Sequence, residues 1–61
     1  MKYIKTVKDL IINDTVLIPN VKGLLKVEAI YELNEDKCVI KFYSTRYVEI
    51  LDKTTEVIVL T

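Results

Sequence analysis

The chain predicts an all-β domain of five strands with a short N-terminal helical turn, on three observations. Val27, Ala29, Tyr31 and Leu33 alternate with Lys26, Glu28, Ile30 and Glu32, the period of two that marks a half-buried strand. Cys38, Ile40 and Phe42 then alternate in the same way with Lys37, Val39, Lys41 and Tyr43. Polar segments at residues 34–37 and 44–46 separate these runs from each other and from a third, which ends near Leu51.

A consistent register follows if Glu35 and Asp36 form a two-residue loop, pairing Leu33 with Cys38, Tyr31 with Ile40 and Ala29 with Phe42. Ser44, Thr45 and Arg46 as a three-residue loop then pair Phe42 with Val48 and Ile40 with Ile50, continuing one apolar face. On the other face Ile30, Lys41 and Glu49 form a row, as do Glu28, Tyr43 and Tyr47, and Glu32, Val39 and Leu51. A shorter second turn would set Glu49 opposite Ile40, and an unpaired carboxylate buried there costs several kcal/mol, on the order of the transfer penalty of an isolated polar group. The longer loop is therefore preferred, although it asks Arg46 or a neighbour for a left-handed or bulged conformation without glycine. A helix over residues 24–33 is the alternative, since Leu, Lys, Glu and Ala favour helices. On a helical wheel, however, Lys26, Glu28, Glu32 and Asn34 scatter and leave no clean apolar stripe.

Tyr3, Ile4 and Lys5 suit either a short edge strand or a tail packed over the domain. Thr6 stands three residues before Asp9, the spacing of an N-cap with a carboxylate reaching back. With Val7, Leu10 and Ile11 on one side, residues 6–12 read as one helical turn plugging an end of the domain. Asn13 and Asp14 end it, and Asn13 is of a type that tolerates a left-handed conformation. Residues 15–18 are β-branched or apolar and stop at Pro19, giving a strand. Gly23 is the only glycine and marks a backbone turn, without phosphate-loop spacing. Val57, Ile58, Val59 and Leu60 form a closing strand buried on both sides.

Residues 1–61 are expected to form one domain, and a chain this short buries only about 60% of its unfolded surface, which makes for marginal stability. One cysteine rules out an internal disulfide, and Cys38 reads as a small core hydrophobe. Formal net charge is zero with a pI near 6.2, so no overall field draws the chain to nucleic acid or to an anionic membrane. Nothing resembles a signal peptide or a membrane span, and the cytoplasm is the expected compartment.

Asn13 and Asp14 opening the strand at residues 15–18, then a hairpin meander and a terminal Val-Ile-Val strand, resemble small SH3-like barrels, including KOW-type domains of translation and transcription proteins. In that group a Gly-Asp pair commonly opens the first strand; Asn13 stands at the glycine's place, and of the later glycines only Gly23 is present. The resemblance implies a five-stranded bent barrel and, because such barrels bind peptides, RNA, DNA or each other, no particular ligand.

There is no histidine, no serine with a suitably spaced base and no glycine-rich loop, so an enzyme is not expected, nor any cofactor or metal. Glu28, Glu32 and Glu49 share the outer face in this register, but Lys41 beside Glu49 makes an ordinary cross-strand ion pair the simpler account. The expected contact surface is that face: Ile30, Val39 and Leu51 as an apolar stripe, with Tyr43, Tyr47, Lys41 and Arg46 beside them. Tyrosine and arginine are enriched at interface hot spots, and such a patch needs a cover or a partner. It would serve a protein-binding or self-associating module, in the manner of small phage or mobile-element proteins that act on a host protein. Alternatively Tyr43 and Tyr47 would stack bases while Lys41 and Arg46 hold phosphates, against the repulsion of Glu28 and Glu49. The stripe could also be a second interior wall if the strands curl strongly.

Overall fold

The computed structural model describes residues 1–18, 21–43 and 48–60. The elements are β1 (Lys2–Thr6), a single 3-10 turn (Val7–Asp9), β2 (Thr15–Leu17), β3 (Leu25–Glu32), β4 (Lys37–Phe42), β5 (Val48–Asp52) and β6 (Glu56–Leu60). The all-β reading holds, but among the described residues the strands number six, in one open antiparallel sheet of order β1-β6-β2-β3-β4-β5. The sixth is β1, which settles residues 3–5 as an edge strand; the sheet is not closed into a barrel, since β1 and β5 each have one neighbour. The helix alternative for residues 24–33 does not occur.

β3 belongs to two half-sheets. Its start pairs with β2, Val16 facing Leu25, and the rest pairs with β4. Between them lies a bulge at Glu28: Val27 pairs with Phe42 but Ala29 with Lys41, so the side-chain parity of β3 changes there. The two halves share one core, in which Val16, Val57 and Val59 of the first meet Val27, Ile40 and Phe42 of the second. No polar or charged residue is buried among the described residues. Cys38 is buried on the inner face, as expected.

The helical turn is shorter than residues 6–12 but does plug the end of the fold. Val7 and Leu10 are buried while Ile11 is exposed. The Val7 and Lys8 amides donate to the Thr55 and Lys53 carbonyls, stitching the turn to the β5–β6 connection. Thr6 donates its hydroxyl to the Asp9 carboxylate at 2.9 Å and caps no backbone amide. Asn13 has φ +78 and Gly23 φ +86, the left-handed conformations their residue types suggest. In β6 only Val57 and Val59 are buried, and Ile58 faces outward, so this strand is not covered on both sides. No helix among the described residues is long and apolar enough to cross a membrane.

Candidate functional site on the outer face of the meander

The observed register differs by one residue from the expected one at both meander turns. At the first, Asn34 accepts the amides of Asp36 and Lys37 through its side-chain oxygen at 2.8 and 2.9 Å, while the Leu33 amide donates to the Lys37 carbonyl. This Asx-type closure draws residues 33–36 into the loop and sets Glu32, not Leu33, opposite Cys38. At the second, Ile40 faces Glu49 and Cys38 faces Leu51. The desolvation penalty expected of that arrangement does not arise, because β5 is an edge strand and Glu49 is only half-buried.

These shifts redistribute the expected contact residues. Ile30 and Leu51 turn inward and pack against the core instead of lining the outer face. Val39 and Lys41 stay outside. Tyr43 is exposed just past β4, where its amide donates to the Lys26 carbonyl, its hydroxyl meets Asn13 Oδ1 at 3.3 Å and the Lys26 ammonium lies 6.0 Å from its ring. Arg46 and Tyr47 lie outside the described residues, as does the loop conformation asked of residues 44–46.

Four residues assigned inward by the alternation pattern, Tyr31, Leu33, Val48 and Ile50, are exposed. Tyr31, Val39 and Ile50 form one cross-strand row, with Ala29, Lys41 and Val48 in the row beside it. Tyr31 keeps 57% and Ile50 54% of its surface accessible, so the row is a solvent-facing surface and not a second interior wall. Nothing in the sequence marks β5 as facing this way, because Val48 and Ile50, two apolar residues two apart, read as an inward pair.

The charges framing this surface are already matched. Lys41 lies 3.4 Å from Glu28 at one end, replacing the expected Lys41–Glu49 pair, and Lys37 lies 2.5 Å from Asp52 at the other. The hydrogen bond to Asp52 holds the Lys37 ammonium above its ordinary pKa. Beyond it lies a polar basin lined by Glu35, Asp36, Lys37, Asp52, Lys53 and Thr54, whose Lys53 makes a second pair, to Glu32 at 2.5 Å. Among the described residues no group of three or more His, Cys, Asp or Glu is placed to hold a metal. Among the described residues, what the surface offers chemically is an apolar row whose bordering lysines, Lys37 and Lys41, are both paired. Comparison with family models, with curated proteins and with solved structures finds no match to this chain.

Proposed function

We propose that the protein is a non-catalytic protein-binding module whose contact surface is the outer face of the β3–β4–β5 meander. The outward row Tyr31, Val39 and Ile50, exposed at Tyr31 and Ile50 and half-buried at Val39, carries this reading. Three large apolar side chains aligned across three strands, flanked by Leu33 and Val48, form the kind of contiguous patch that marks an interaction site on a small soluble domain. Because the bordering lysines are paired internally, the partner is a protein presenting an uncharged apolar surface, and binding should change little with ionic strength. The Glu28 carboxylate beside Lys41 weighs against the nucleic-acid alternative, in which that lysine would hold a phosphate.

The fold that presents this face is an SH3-like barrel opened at one seam and extended by β1. Supporting this are the order β6-β2-β3-β4-β5, a meander with a terminal strand returning beside the first, and the bulge that carries β3 from one half-sheet into the other.

The test is retention of proteins from a lysate of the producing cell on the immobilised protein, compared with a variant carrying Tyr31→Ser and Ile50→Lys. Circular dichroism should show both folded. A discrete protein retained by the wild type through a high-salt wash and lost on the variant is the expected result. Equal retention by both, or none by either, contradicts the proposal.

A further inference from the structure

We propose that β1 is a dimerisation edge, two copies pairing their β1 strands antiparallel about a two-fold axis at Ile4. This surface lies at the opposite end of the strand order from the meander and does not rest on the function assigned there. β1 is five residues long and, among the described residues, pairs with β6 alone, so its other side offers backbone donors and acceptors to a further strand.

The side chains select the partner and the register. Edge strands are commonly guarded by lysines or inward-pointing charge, and β1 has Lys2 on the outer face and Lys5 on the inner. The inner guard is cancelled: Lys5 Nζ lies 2.9 Å from Asp14 Oδ2, with both side chains largely covered. Centring the pairing on Ile4 sets Ile4 against Ile4 of the second copy, Tyr3 against its Lys5 and Lys2 against its Thr6. No like charges then face one another, and each Tyr3 ring receives an ammonium of the kind it already meets within its own chain, where Lys5 Nζ is 5.7 Å away. A shift of one residue in either direction would join the outer face of one copy to the inner face of the other, and in one direction it would also oppose Lys2 to Lys5. The other edge, β5, lacks this complementarity: pairing centred on Ile50 sets the inward Glu49 against an aliphatic Leu51.

The same register closes an apolar surface. Leu17, Ile58 and Ile4 form one row across β2, β6 and β1, and Ile4, 63% exposed, ends it at the open edge beside a shallow depression lined by Lys2, Tyr3 and Ile58. In the dimer the two rows meet end to end as six consecutive aliphatic side chains. Backbone pairing over residues 2–6 adds about four to six hydrogen bonds.

The test is light scattering coupled to size exclusion, with protein to about 1 mM. The wild type and the Tyr31→Ser/Ile50→Lys variant should both run as dimers of the 7.1 kDa chain. Ile4→Lys should weaken the dimer about tenfold or more by opposing two ammonium groups, and mixing Ile4→Lys with Ile4→Glu should restore it. In a Cys38→Ala background, oxidation should cross-link Ile4→Cys but not Tyr3→Cys. A monomeric wild type, an Ile4→Lys protein as dimeric as the wild type, or cross-linking at Tyr3→Cys in place of Ile4→Cys overturns the proposal. Loss of the dimer in the Tyr31→Ser/Ile50→Lys variant overturns it too, by moving self-association to the meander face.

Discussion

Ile40 and Glu49 face each other across the β4–β5 ladder, a fully buried aliphatic side chain opposite a half-buried carboxylate at the sheet edge. The carboxylate keeps its access to water only because β5 has no outer neighbour, and it acts as an inward-pointing charge guarding that edge. Glu49→Leu should therefore raise stability by about 0.5–1 kcal/mol through added apolar burial. It should also increase aggregation. A higher urea midpoint at unchanged slope is the expected result, and a lower midpoint would show that the carboxylate makes a stabilising contact.

Ile30 and Tyr31 are neighbours in sequence with opposite roles. Ile30 packs on the core, whereas Tyr31 stands in the exposed row. Ile30→Ser should cost about 1–3 kcal/mol, and Tyr31→Ser about 0.5 kcal/mol or less. The reverse order in denaturant titrations would restore the register in which Tyr31 is core.

The left-handed residues give a backbone test. A Cβ at Gly23 meets nothing within 4 Å, so Gly23→Ala should cost only the conformational penalty, about 1 kcal/mol. Asn13→Val should cost about 1–2 kcal/mol, while Asn13→Gly should be close to neutral, exchanging strain relief for the Tyr43 contact. Thermal midpoints of the three variants check the order.

Stability should be flat through neutral pH. The hydrogen bond from Lys53 holds the Glu32 carboxyl below its ordinary pKa, so its contribution is whole above the unfolded value and is lost as pH falls through the lower folded one. Hydrogen bonds to Asp14, Asp52 and Glu32 raise Lys5, Lys37 and Lys53 respectively. Their contributions are whole below the unfolded value and are lost as pH rises through the higher folded one. The chain has no histidine, so the melting temperature should hold steady from about pH 6 to 9 and decline gently on either side. A transition near pH 7 in melting experiments would contradict this assignment.

Strand existence was legible from the sequence because alternation, turn residues and the β-branched runs agree, as in β4, whose inward set Cys38, Ile40 and Phe42 is the observed one. Parity in β3 was not, because Ala29, Ile30 and Tyr31 are consecutive apolar residues that fit either face, and the bulge at Glu28 chooses between them. Ile50 and Leu51 pose the same ambiguity in β5. There, solvent at the sheet edge admits a carboxylate that a central strand would refuse. Alternation thus puts Val39 and Lys41 on the outer face of the meander, where they stand, but assigns Tyr31 and Ile50 beside them to the core.

The most direct test of the meander face as the binding surface is a photo-crosslinking amino acid at position 50, irradiated in the producing cell beside a control at position 22. A discrete protein adduct from position 50 that is absent from position 22 is the expected result. No adduct, or the same adducts from both positions, would contradict it.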